Sequence, residues 1–261
     1  MRLTTLVAPA KLTWTLAVGD RRPDGYHDIE SEMLSLDLVD ELVVREPGDG
    51  LTLSPESVEG LGSLDLGPDN LVRRALEVGG RSANVELLKR IPLGGGLGGG
   101  SSDAAAILRW AGFTDLAAAS RLGGDVPFCM VGGRAMVRGL GEQVEPLAHV
   151  ERTVVLLLPP VAVSTPAAYR ALDELRAEGR GRHGRNDLTE AALRVEPALG
   201  RWWSALAEVT GAEVVLAGSG STLFVEGSLE SLGCTGMEQL AVGEDVARVI
   251  EASALPSGAH S

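Results

Sequence analysis

The stretch IPLGGGLGGGSSDAAAILRW, residues 91–110, gathers glycine where chemistry calls for bare backbone. Six of the seven residues from Gly94 to Gly100 are glycine, broken only by Leu97. Glycine loses more conformational freedom on folding than any other residue, so such a run needs a specific return. It lies between a strand-like segment, NVELLKRIP, and a helical pattern that opens at Ser101, Ser102 and Asp103. In that setting successive N–H groups can point inward, while the new helix adds unpaired donors and a partial positive charge. The arrangement predicts an anion cradle with phosphate as its usual occupant. Ser101 and Ser102 would offer hydroxyls to phosphate oxygens or to a bound Mg2+. The bland alternative is a flexible loop or close helix–strand packing. A P-loop is excluded, because no G-x-x-x-x-G-K-[ST] string occurs. Gly94, Gly96 and Gly99 satisfy G-x-G-x-x-G, yet Pro92 sits just before the glycines. No acidic residue ends a following strand about twenty positions on, where a ribose would need it.

Other residues invite the same question. Lys11 falls in an apolar strand pattern, where an unpaired cation is costly, so it either snorkels to water or meets an anion. Asp125 enters a loop in GGDVPF, after a helix ending at Gly123, and faces either a cleft or plain solvent. Gly218–Ser219–Gly220–Ser221 is a second close-approach loop or a tight strand turn. Tyr26 and His27 draw notice because aromatic residues are only 3% of the chain, although a turn tyrosine and an exposed histidine would account for them equally well. His149, His183, His260, Cys129 and Cys234 show no metal-ligand spacing, so no dedicated protein metal site is expected.

The elements that must hold these residues alternate along the chain. RLTTLVAPAKLTWTLAV reads as two strands around Pro9, followed by a polar turn at Pro23, Asp24 and Gly25 and a strand at DELVVREP. A helix is expected over GPDNLVRRALEVGG, with Asp69 near its start and Gly79 past its end. A second helix follows the glycine loop and stops at Gly112, and a third, DLAAASRL, takes Thr114 as its cap. GGDVPFCMVGGRAMVRG returns to loop and strand. TVVLLLPP is a buried strand, and STPAAYRALDELRAEG a helix with Thr165 as cap and Pro166 at its first position. GRGRHGR, 179–185, reads as a mobile surface segment, helical patterns run on to Thr210, and residues 227–261 carry no assigned role. The fold class is therefore α+β in two lobes with a cleft between them, residues 1–150 forming one and 151–261 the other.

Composition narrows the function classes. At 44% hydrophobic and 23% charged residues, the 261-residue chain is an ordinary globular protein. A formal net charge of −13 argues against a general nucleic-acid binder. No apolar run is long enough to cross a bilayer, Lys11 interrupts any signal-peptide core, and two cysteines make no disulfide framework. A cytoplasmic protein is expected, free of nucleic-acid and membrane partners, acting as a monomer or weak homodimer.

The string PLGGGLGGGSSDAAA resembles the central nucleotide-binding motif of the GHMP kinases, the small-molecule kinases that include galactokinase, homoserine and mevalonate kinases. APAKLTWTLAVGDRRPDGYHDIES resembles their N-terminal motif and VLAGSGSTLFV their C-terminal glycine motif, all in the right order. DGYH followed by DVPF, with STP and NDL between the two glycine motifs, is most similar to the branch that phosphorylates the 2-hydroxyl of 4-diphosphocytidyl-2-C-methyl-D-erythritol in the non-mevalonate isoprenoid pathway.

That resemblance implies ATP with Mg2+ as cofactor and a cytidine-diphosphate-linked alcohol as the small-molecule substrate. It implies that Asp125 is the base and Lys11 its electrostatic partner. The nucleotide loop would be Pro92, Gly94, Gly96, Leu97, Gly98, Gly99, Gly100, Ser101 and Ser102. Tyr26 would stack on the cytidine, the His27 segment would bond its polar edge, and Tyr169 would offer the opposite aromatic face. Thr165 would meet the diphosphate, and Gly218, Ser219 and Gly220 would close over substrate phosphates. Thr13 stands where relatives often have asparagine, keeping a hydroxyl but losing an amide. Two other readings follow from the same residues: a related kinase for a non-nucleotide alcohol, and a nucleotide-binding protein without turnover.

Overall fold

A computed structural model describes residues 2–57, 64–181 and 184–259. Two members of the sequence expectations, His183 and His260, lie outside the described residues, as does the middle of GRGRHGR.

The first sheet is organised by one long strand. β1 (Arg2–Thr13) and β2 (Ala17–Arg21) both pair antiparallel with β3 (His27–Glu46) along one of its edges. The other edge of β3 takes β5 (Asn84–Leu88) at one end and β6 (Arg134–Gly139) at the other, with β4 (Leu51–Leu53) and β7 (Gln143–Leu147) outermost. Pro9 does not split β1. The strand passes through it with a register shift between Pro9 and Lys11, which is tolerable because β1 pairs only with β3 and the missing N–H breaks no ladder on its far side.

Helices α1 (Leu71–Val78) and α2 (Gly99–Trp110) cover this sheet, followed by α3 (Leu116–Ala119) and α4 (Val126–Val131). Leu42, Val44, Val85 and Leu87 from the strands meet Ala104–Leu108 of α2 and Phe128 of α4 in one core. The helix at 126–131 replaces the expected loop: Pro127 falls in its first turn, where a missing N–H is harmless. Asp69 lies near the start of α1, as expected, with Asn70 as the cap that accepts the Val72 N–H, while Asp115 in place of Thr114 caps α3 by accepting the Ala118 N–H.

The second sheet runs β11 (Gln239–Val242), β12 (Asp245–Ser253), β8 (Thr153–Leu158), β10 (Leu223–Glu226), β9 (Val215–Leu216). Residues 239–253 thus supply two of its five strands. Helices α5 (Thr165–Ala177), α6 (Thr189–Val195) and α7 (Leu199–Thr210) complete this half of the molecule. Ser164, not Thr165, occupies the cap position of α5.

β8 is buried on both faces, as its unbroken apolar run predicts. Val155 and Leu157 pack with Trp202 and Leu206 of α7, while Val154 and Leu156 face Leu12, Leu34 and Leu36 of the first sheet. A third core therefore joins the two sheets. Backbone bridges reinforce it at Leu36 with Ala254 and at Leu16 with Asn186.

Candidate active site

Where the two sheets meet, a cleft of about 490 Å³ opens beside the glycine loop. Lys11 and Thr13 project into it from β1, Pro92 and the run from Gly94 to Ser101 form one wall, and Asp125 enters from the start of α4. Thr165 and Tyr169 of α5 and the Gly218–Ser219–Gly220 loop form the opposite side. Residues scattered over more than two hundred positions of sequence thus converge on one space.

The glycine loop owes its path to two close approaches. Gly96 has φ of +77°, and a Cβ there would stand 2.6 Å from the Ala217 carbonyl oxygen. Gly98 has φ of +68°, and its Cβ would meet the Lys11 stem at 2.7 Å. Gly98 is also the cap of α2, where its left-handed backbone turns the chain into the helix without a side-chain bond. The first intrahelical bond from this end is Ser102 N–H to the Gly98 carbonyl, 2.8 Å. The N–H groups of Gly99, Gly100 and Ser101 therefore face the loop without intrahelical acceptors, as helix geometry dictates.

Lys11 sits at the centre. Its Nζ lies 3.2 Å from Asp125 Oδ2 and donates to Thr13 Oγ1 at 3.1 Å. Its backbone N–H bonds the Leu97 carbonyl at 2.9 Å, tying β1 to the loop. The buried cation thus meets an anion, which settles the choice that the apolar strand pattern posed. Thr13 takes up the lysine with its hydroxyl, a part that needs no amide. Asp125 occupies the cap position of α4 but makes no capping bond, so its carboxylate turns to Lys11. Burial and the charge of Asp125 together push the Tyr169 hydroxyl up to about 12.

Three sequence expectations are placed elsewhere. Ser102 is fully buried and its hydroxyl donates to the Pro9 carbonyl at 2.6 Å, so it pins α2 to β1 and is not free for phosphate or metal. Tyr26 stands 64% exposed on the turn between β2 and β3, off the cleft lining. His27 is buried: Nδ1 faces the Gly19 carbonyl at 3.1 Å, Nε2 lies 3.3 Å from Asp173, and its ring packs 5.4 Å from that of Tyr169.

Other contributors escaped the sequence reading. Asn186, buried in the NDL string, donates to the Leu216 and Gly218 carbonyls at 2.9 and 2.7 Å and accepts from Leu188 N–H, fixing the second glycine loop. Behind the first loop Lys89 is enclosed by Asp40 and Asp103, the latter at 2.6 Å. Asp40 also accepts the backbone N–H groups of Arg90 and Ile91 at 2.6 and 2.8 Å, shaping the turn into the loop. Burial works against the Lys89 ammonium, but attraction to Asp103 and Asp40 raises its pKa. Burial pushes the Asp103 carboxyl up to about 7, with Lys89 opposing and Asp40 assisting. A lysine inside the apolar ELLKRIP strand was the available signal, and it mirrors Lys11. Lys89 and Asp103 line a smaller pocket of about 250 Å³ that shares Leu71, Leu93 and Gly100 with the main cleft. Among the described residues, no cluster of three or more His, Cys, Asp or Glu side chains is placed to hold a metal, and no helix is long and apolar enough to cross a membrane.

Comparison with known proteins gives this geometry its context. Residues 70–133 match the GHMP kinases N terminal domain. The 4-diphosphocytidyl-2-C-methyl-D-erythritol kinase of Paracoccus denitrificans is 37% identical over 238 residues, covering 83% of this chain and 84% of that protein. The kinase of the same name from Salinispora tropica is 40% identical over 256 residues, covering 82% and 80%. A crystal structure of 4-(cytidine 5'-diphospho)-2C-methyl-D-erythritol kinase superposes with a TM-score of 0.71 at 32% identity, over 96% of this chain and 98% of that one. Homoserine kinase from Cytophaga hutchinsonii shares the fold at a TM-score of 0.58 and 16% identity, over 98% and 96% of the two chains.

Proposed function

Since the chain belongs to the 4-diphosphocytidyl-2-C-methyl-D-erythritol kinase family of the GHMP kinases, we propose that it phosphorylates the 2-hydroxyl of that cytidine-linked alcohol, with Asp125 as base and Lys11 as its electrostatic partner. The chain is an ATP-dependent small-molecule kinase. The observation that carries the residue assignment is the 3.2 Å contact of Lys11 with Asp125, facing the glycine loop across one cleft.

A tertiary hydroxyl is a weak nucleophile at neutral pH, so a positioned base assists as its oxygen bonds to the γ-phosphorus. In this reading Asp125 takes the hydroxyl proton, the bond from the γ-phosphorus to the β–γ bridging oxygen breaks, and ADP leaves. Lys11 keeps the carboxylate ionised and favours the negative charge that develops on the attacking oxygen. The N–H groups at the head of α2 and along Gly94–Gly100 hold the phosphates, with Ser101 alone of the two serines able to add a hydroxyl. Mg2+ arriving with ATP supplies charge neutralisation on those phosphates. The pocket beside Lys89 and Asp103 has room for the nucleoside, continuous with the loop. Residues 1–150 thereby serve mainly the nucleotide, and residues 151–261 supply the acceptor wall of Thr165, Tyr169 and Gly218–Gly220.

One observation favours a second reading. Tyr26 stands off the cleft lining, which suits an acceptor without a nucleobase. ADP release with Mg-ATP and each of 4-diphosphocytidyl-2-C-methyl-D-erythritol, homoserine and mevalonate decides between them. Turnover with the cytidine compound alone is expected. Turnover with a simple alcohol alone would overturn the acceptor assignment while leaving the loop's role intact. Binding of ATP with no turnover on any of the three would point to a protein that keeps the nucleotide site without catalysis.

A further inference from the structure

His27 is enclosed, its side chain only 3% exposed. Both of its ring nitrogens point at acceptors, the Gly19 carbonyl at 3.1 Å and Asp173 Oδ1 at 3.3 Å. The imidazole is thus held between a backbone carbonyl on β2 and a carboxylate on α5, one facing each ring nitrogen. The Gly19 carbonyl is itself held by Arg176 at 2.7 Å, and Asp173 is approached from β2 by Arg21 at 3.9 Å. These groups form a closed brace between α5 and the β2–β3 turn.

The brace ends at the cleft. Tyr169 and Asp173 are four residues apart on α5 and share one face, so both reach the same imidazole. The His27 and Tyr169 rings pack 5.4 Å apart and tilted by 32°, which sets the angle at which Tyr169 lines the cleft. On its other side His27 begins β3, directly after Tyr26. That turn is already stiff, because Asp24 accepts the Tyr26 N–H at 3.1 Å and Arg22 pairs with both Asp24 and Asp28 at 2.9 and 2.8 Å. Orienting His27 therefore orients Tyr169 at the cleft, against a turn that is itself fixed.

We propose that Asp173, acting through His27, is the positioning residue that fixes Tyr169 as the nucleobase-recognising face of the cleft. Asp173 lies off the lining of the cleft and its ion contacts are with His27 and Arg21, not with Lys11 or Asp125, so its effect falls on acceptor binding and leaves the chemical step alone. This inference rests on the cytidine-linked acceptor of the preceding section and adds a residue to its recognition.

The test is Asp173→Ala, with Asp173→Asn as a variant that keeps an acceptor oxygen in place. Binding of cytidine 5'-monophosphate is measured by calorimetry, and KM and kcat are measured separately for the cytidine acceptor and for ATP. Asp173→Ala is expected to weaken both nucleotide binding and acceptor KM by about tenfold, as loss of one buried polar contact allows, with kcat and the KM for ATP nearly unchanged. Asp173→Asn should fall between it and the parent protein. Unchanged acceptor KM in Asp173→Ala, or an equal decline in kcat and both KM values, would overturn the positioning role. If the unmodified protein neither binds cytidine 5'-monophosphate nor uses the cytidine acceptor, the acceptor assignment itself fails, and the two failures are thus told apart.

Discussion

Asp125 keeps its carboxylate for Lys11 because it begins a helix without capping it. Replacing it with asparagine preserves shape and removes the proton acceptor. Asp125→Asn is expected to lower kcat roughly 10²- to 10⁴-fold, the usual contribution of a positioned base, with ATP binding largely retained. Steady-state assays together with a nucleotide-binding titration check this, and near-normal turnover would reject Asp125 as base. Asp103 makes a different prediction, one about stability. Its carboxyl is raised to about 7 by burial, above the value of roughly 4 for an unfolded chain. Between those values the folded protein holds a proton that the unfolded chain has released. Stability contributed by this group is therefore full at low pH and declines as pH rises from about 4 to about 7. Asp103→Asn should flatten that slope in urea unfolding measured at about pH 5 and pH 8, and an unaltered slope would assign the pH dependence to other groups. Lys11 and Asp125 were both legible as candidates, one from a cation in an apolar strand and the other from an acid at a helix junction. Their meeting was legible only through the family resemblance, since local patterns say nothing of residues 114 positions apart.

At the scale of elements, the glycine loop is a joint between β1, α2 and the Gly218 loop, and Gly98 is the close approach that bears on Lys11. Gly98→Ala would put an L residue in the left-handed region, costing about 1–2 kcal/mol, and press its Cβ against the Lys11 stem. Lys11 can yield only by leaving Asp125. The variant is expected to lose turnover more than it loses thermal stability, whereas Gly100→Ala, whose Cβ would meet only Leu71 at an ordinary 3.6 Å, should be mild. Comparing melting temperature with kcat for the two variants checks this, and equal effects would deny the loop its special geometry at residue 98. Most elements were readable because apolar spacing and glycine stops are local signals. The strand over 153–158, the helix after the glycine loop and the stop of α1 at Gly79 all follow from such patterns. The helix at 126–131 was not readable, since six residues give too short a period and the flanking glycines imply a loop. Caps slipped by one position where two capping residues adjoin, as at Thr114–Asp115 and Ser164–Thr165, because the choice depends on how the chain enters the helix. Ser102 misled for a related reason. Two neighbouring serines at a helix start point about 100° apart, and only the fold decides that Ser101 faces the cleft and Ser102 the Pro9 carbonyl.

Across the whole molecule, the two sheets are welded by the core that contains Leu12, Leu34, Leu36, Ile91 and Leu97 from one side and Val154, Leu156, Phe224 and Ala252 from the other. Trp14 lies in the same core, flanked by Arg152 and Arg185, each 4.0 Å from its ring centre, and packed 5.5 Å from Phe224. Residues 227–261 looked idle in sequence because their contribution is non-local: β12 pairs with β8, and the chain beyond it bonds Ser35 through the Leu255 N–H at 2.8 Å. The two-lobed pattern of the sequence would equally suit lobes that melt separately. A fully buried shared core argues for one cooperative unit, since neither sheet can leave without exposing the other's apolar face. Phe224→Ala, at a fully buried position in that core, is expected to cost roughly 3–5 kcal/mol and to destabilise both sheets together. Tryptophan fluorescence distinguishes the outcomes, with Trp110 reporting on the first sheet's core and Trp202 on the second's in single-tryptophan variants. Coincident urea transitions at both reporters, shifting together in Phe224→Ala, are expected. A transition at Trp202 that moves while Trp110 stays in place would show that the sheets unfold independently and that the cleft between them is held by loops instead of by the shared core.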